Sequence, residues 1–155
     1  GLCRGNYLRR FCNPEEGNIK TMTPKEIRLT KISRERHTLY WSKAMEFFEA
    51  MVDASQKKNW NATGLAGVHC CISATDALLV KHAGVRSSSD SHQDVIGLLR
   101  AKINDPNIAK QAQRLGEILG QKNLIEYVDK SFTEKNALVL KISVERYIEW
   151  VRKLL

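Results

Sequence analysis

Proline and glycine are scarce in this chain, 3 and 9 in 155 residues, which excludes collagen-like and Pro/Gly-rich low-complexity organisation. Alternating apolar and polar stretches are few, so a sheet-built domain is not expected. There is no Gly-rich phosphate loop, no acidic metal pair and no paired nucleophile and base, so the common enzyme classes lack their motifs. The 4 cysteines, Cys3, Cys12, Cys70 and Cys71, show neither CxxC spacing nor an even spread, which supports neither a zinc site nor a disulfide framework. In "VHCC", neighbouring helical residues point about 100° apart. His69, Cys70 and Cys71 therefore cannot converge on one ion, and a core-facing cysteine is expected. No metal and no cofactor is expected. Reduced thiols fit a cytoplasmic protein. No run approaches the ~20 apolar residues of a spanning helix, and the opening "GLCRGNYLRRFCNPEEGN" lacks the apolar stretch of a signal peptide.

What is present is a globular composition, 43% hydrophobic and 27% charged, in a chain long enough to bury on the order of two-thirds of its unfolded surface as one domain. The formal net charge is +8, but it is unevenly placed. Residues 1–37 hold nine Lys/Arg against four Asp/Glu, leaving sixteen against thirteen for the remainder. The expected division is a basic, flexible extension over 1–22 and a single helical domain over 23–155.

Apolar spacing predicts the helices. "MTPKE" reads as a start, with Thr23 as N-cap, Pro24 at the first helical position and Glu26 closing a capping box. From there to Ser55, Tyr40, Trp41, Ala44, Phe47, Phe48, Met51 and Val52 share one side of a long helix, with a bend expected near Thr30 to Ser33. Asn59 or Asn61 caps the next helix. There Gly64, Gly67, Cys71, Ala74 and Leu78 form a stripe of mainly small residues, so this should be the central helix. Asp76 lies close to that stripe and needs partners if buried. After a break at Gly84 the chain restarts with Asp90 or Ser91 as N-cap, and Pro106 ends or redirects that helix. Ile108, Ala112, Leu115 and Leu119 follow on one face, with Gly120 as C-cap. "GQKNLIEYVDKSF" then reads as a short helix in which Leu124, Tyr127 and Val128 pack inward, while Lys122, Asn123 and Glu126 project to an edge. Ser131 and Glu134 form a capping box for a last long helix. The fold class is all-α: an up-and-down bundle with three long helices and shorter ones between them.

The order "YWSKAMEFFEAM", "NATGLAGVHCCISATDALLVKHAG", "SSSDSHQDVIGLL", "KNLIEY" and "ALVLKISVERYIEWVRKLL" resembles the HEPN family of helical bundles over roughly Ser33 to Leu155. The resemblance implies a homodimer that handles RNA or nucleotides. Many members are metal-independent ribonucleases of toxin–antitoxin or defence systems, and others partner a nucleotidyltransferase. The nuclease members carry an arginine, four to six residues, then a histidine, near the short helix before the last one. Here that stretch begins at Lys122 and Asn123 and runs to Glu126 and Tyr127, with no later histidine, so the resemblance implies binding more than cleavage. Glu126 could move a proton near neutral pH only if burial raised its pKa.

An arginine and a histidine at that spacing do occur elsewhere, as Arg86 and His92. "RSSSDSH" carries a guanidinium, hydroxyls including that of Ser88, and backbone N–H groups at a helix start, the parts of an anion site. The same residues also suit an ordinary polar loop or cap. The candidate binding residues are thus Arg86, Ser88, His92, Lys122, Asn123, Glu126 and Tyr127, with His92 and Glu126 as the acid–base candidates. The expected function is a binding or accessory module for RNA or nucleotides; the alternatives are a divergent endoribonuclease and a partner of a nucleotidyltransferase.

Overall fold

A computed structural model describes residues 28–127, 129 and 131–155, with only the backbone of Tyr127. The expected start at Thr23, Pro24 and Glu26, the extension over 1–22 with Cys3 and Cys12, and Val128 lie outside these residues. The first described element is not a helix. Leu29–Lys31 forms a strand, β1, where a continuous helix with a bend was expected. Three residues are too short to show alternation, and their state is set by a distant partner. A 3₁₀ turn at Arg34–Arg36 leads into α1, His37–Gln56, and then α2, Trp60–Ala83.

Gly84 ends α2 in the left-handed conformation, φ 63°, its N–H bonded to the Val80 carbonyl. A side chain there would be strained, and its Cβ would lie 3.2 Å from the Ile32 carbonyl oxygen. The reversal launches β2, Val85–Ser87, which pairs antiparallel with β1, Thr30 opposite Arg86. The ladder is extended by Ile32 N–H to Gly84 O at 2.8 Å and Ser88 N–H to Arg28 O at 3.0 Å. The chain continues as α3, His92–Lys102, α4, Ile108–Tyr127, and α5, Glu134–Leu154.

The described residues are mostly helical, as composition and spacing predict, but four helices are long and only α3 is short. Gly120 does not cap anything: α4 runs through it to Tyr127. The buried row Leu115, Ile118 and Leu119 continues beyond it into the half-buried Leu124 and Ile125. A glycine inside a helix costs only about 1 kcal/mol, which that packing outweighs. The box at the start of α5 is also displaced. Thr133 is the N-cap and Asn136 closes the reciprocal pair, so an amide does what Glu134 was expected to do.

α2 is the hub, packed most extensively on α1 and then on α5. A Cβ on Gly67 would stand 3.1 Å from Met51 Sδ and 3.2 Å from Val144 Cγ2, so both neighbours close on bare backbone. By length and apolar composition α2 could cross a membrane, contrary to the sequence expectation, yet 72% of its apolar window is buried by its neighbours. Cys70 and Cys71 are both fully buried, and burial pushes both thiols up. The loop holding Pro106 is tied to α5 by Trp150, whose indole donates to Asp105 Oδ2 at 3.0 Å.

Candidate functional site

Pairing of β1 with β2 fixes where Arg86 points. Val85 and Ser87 are buried, so the side chain between them emerges on the opposite face of the strand. There its guanidinium lies over the Tyr40 ring of α1, 5.4 Å from the centroid, with Nη2 3.5 Å from Asp76 Oδ2 of α2. Arg86 Nε is buried without a hydrogen-bond partner among the described residues. The Asp76 side chain is only 12% exposed. Burial pushes its carboxyl up to about 6, while the positive charges of Arg86 and Lys43 pull it the other way.

Behind Asp76 the floor is tied into the core. The Thr75 hydroxyl donates to the Cys71 carbonyl at 2.7 Å and lies 2.6 Å from the Tyr147 hydroxyl, which joins α2 to α5 inside the core. In front of it opens a cleft of about 340 Å³. Its walls include the apolar Ile72, Val95, Leu115 and Leu119, and its rim carries Arg86, Ser88, Asp90, His92 and Lys122.

The loop into α3 is ordered by its own serines. Ser89 N–H donates to Ser87 Oγ at 3.2 Å and Ser91 N–H to Ser89 Oγ at 3.1 Å, while the Ser89 hydroxyl donates to Asp94 Oδ2 at 2.6 Å. Ser91 occupies the N-cap of α3 without a side-chain cap bond. Two readings of "RSSSDSH" are thus compatible. Ser87 and Ser89 shape the loop, and that shaping leaves Arg86, Ser88 and His92 on the cleft.

Of the residues singled out in the sequence, Arg86, Ser88, His92 and Lys122 therefore meet at one cleft, although 36 positions separate the first from the last. Asn123 and Glu126 do not line it; both are exposed on α4. Glu126 lies near His69, which stacks on Phe47 with centroids 5.4 Å apart. Burial lowers the His69 pKa, Lys122 and Lys43 lower it further, and Glu126 opposes them. The Tyr127 side chain lies outside the described residues.

Sequence reasoning read Tyr40 only as part of an apolar helix face and Thr30 only as the place of a bend, and gave Lys43 no role; no local signal marks these three as neighbours of the site. Asp76 was noted only as a residue in need of partners, and its position in "CCISATDALLV" was the available signal: an acid inside an apolar run is either paired or functional. Compared with family models and with curated proteins, the sequence matches none.

Proposed function

We propose that this cleft binds a phosphate-bearing ligand, a nucleotide or a segment of RNA, and that the chain is an HEPN-like binding or accessory module that forms a homodimer. The observation that carries the reading is the meeting of Arg86, His92 and Lys122 at a cleft of about 340 Å³ whose arginine has a buried N–H with no partner among the described residues. Small-molecule sites fall between about 300 and 1,000 Å³, mostly apolar with a few convergent polar groups. A guanidinium fork, an ammonium and the N-terminal turn of a helix are three independent donors to phosphate.

The test is binding of a labelled single-stranded RNA to the full chain across a salt series. Affinity should fall as salt rises, because phosphate contacts release counterions. Arg86→Ala and Lys122→Ala should each weaken binding by about 10-fold, the scale of one charged hydrogen bond. The basic extension is untouched in both variants, so unchanged affinity would assign the binding to it and remove the cleft.

One observation favours a second reading, a metal-independent endoribonuclease. Asp76, at about 6, shares the cleft with His92, and an acid–base catalyst is most effective with its pKa near the working pH. The family mechanism itself lacks its parts at the expected place, since Lys122 replaces the arginine and no histidine follows it. RNA incubated with the purified chain should therefore stay intact. Robust cleavage lost in Asp76→Asn or His92→Ala, but kept in Glu126→Gln, would select the enzyme.

A further inference from the structure

The formal charges on the cleft lining cancel. Leaving the imidazole of His92 out of the count, Arg86 and Lys122 stand against Asp76 and Asp90. An anion entering this cleft meets no net attraction while both carboxylates are ionised. The nearest of those carboxylates to the arginine is built into the floor: Asp76 projects from the most buried helix, is itself 8% exposed, and reaches Arg86 at 3.5 Å.

We propose that Asp76 is an internal counter-ion that competes with the ligand for Arg86, so that the cleft takes up a phosphodiester together with a proton. The inference rests on the phosphate-binding reading of the cleft and adds a regulation to it. With Asp76 neutral, the lining carries one net positive charge and the guanidinium turns its full charge on the ligand. With Asp76 ionised, the ligand's negative charge must lie close to a second one in a partly desolvated site, where screening is weak.

The groups around the carboxyl decide whether its proton moves near neutrality. Arg86 on β2 and Lys43 on α1 favour the ionised form; Lys122 on α4 and Asp90 in the loop line the same cleft. Tyr147 on α5 stays neutral, its pKa raised by burial, and His92 opens α3. Burial outweighs the cations and leaves Asp76 at about 6. A bound phosphodiester pushes it higher still.

The experiment is calorimetric titration of the full chain with a short oligouridylate lacking terminal phosphates, a probe whose own charge is constant over the range used. If binding required the protonated form outright, one-proton linkage with Asp76 at about 6 would weaken it by up to about 25-fold between about pH 5.5 and about pH 7.5. Heats in two buffers of different ionisation enthalpy should show proton uptake on binding, a readout needing no variant. Asp76→Asn should flatten the profile and bind more tightly than the parent at the upper pH. His92→Gln removes the imidazole from the cleft: a pH dependence that persists in it belongs to the carboxyl, and one that vanishes overturns the counter-ion. Binding that needs Lys122 but keeps its pH profile in Asp76→Asn, or shows no uptake in the parent, overturns the counter-ion alone. Binding indifferent to Lys122→Ala at every pH sinks the cleft reading and the counter-ion with it.

Discussion

Asp76 couples folding to pH as well as binding. Its carboxyl is raised from 3.8 to about 6 in the folded chain, so between those values the folded state holds a proton that the unfolded state has released. Stability from this group is complete below the unfolded value and is lost as pH rises through about 6. At about 1.4 kcal/mol per unit, the loss is on the order of 3 kcal/mol, and the burial of the side chain leaves little solvent to screen it. Denaturant unfolding at several pH values should show a fall between about pH 4 and about pH 7 that Asp76→Asn lacks; parallel curves would mean that the pair with Arg86 offsets the effect of burial. Its neighbour is held differently. Tyr147→Phe removes the hydroxyl at 2.6 Å from Thr75 without opening a cavity, and should cost about 0.5–1.5 kcal/mol, one hydrogen bond's net worth, read as a shift in denaturant midpoint. Asp76 has a visible sequence signal, an acid beside an apolar stripe, but its partner Arg86 was invisible at 10 positions away, and so was the Thr75–Tyr147 contact across 72.

At the scale of elements, apolar spacing at three and four residues located α1, α2, α4 and α5, because each buries one continuous stripe that the sequence displays. What it misplaced were boundaries set by something other than the stripe. β1 exists because β2 offers it hydrogen bonds, and Gly120 is passed over because core contacts resume beyond it. Among the described residues, no atom outside its own helix lies within 4 Å of a Cβ at Gly120, and the backbone there is helical. Gly120→Ala should raise stability by about 0.5–1 kcal/mol, measured by thermal or chemical unfolding; at a left-handed cap the same change would lower it. Gly67 gives the opposite sign. With Met51 and Val144 already at 3.1 and 3.2 Å from a Cβ, Gly67→Val forces α2 away from α1 and α5 and should cost about 1–3 kcal/mol.

For the whole molecule, the candidate site was legible in its parts and not in its assembly. Arg86, Ser88, His92 and Lys122 carry the right chemistry in the sequence, whereas the cleft that joins them depends on a strand pairing and on the approach of α3 and α4 to α2. The outer surface raises the question of assembly. Leu138, Val139 and Ile142 on α5 are 39%, 58% and 48% exposed, an apolar ridge on the most amphipathic helix. Beside it runs a groove of about 310 Å³ between α4 and α5, lined by Ile118, Val139 and Leu140 and edged by Glu117 and Lys135. A ridge next to a groove with both charge signs on its edges suits a two-fold axis under which each copy's ridge would enter the other's groove. A stable interface of this kind buries about 800 Å² per partner, so the ridge would be its centre and the groove edges its rim. Light scattering at micromolar concentration should give twice the 17.6 kDa chain mass. Ile142→Glu places a charge at that centre without touching the core, and should return the mass to that of one chain while leaving the unfolding midpoint of the monomer and its cleft intact. A single-chain mass for the parent protein would leave the ridge uncovered and remove the dimer from the proposal; a double mass that survives Ile142→Glu would move the interface to another face.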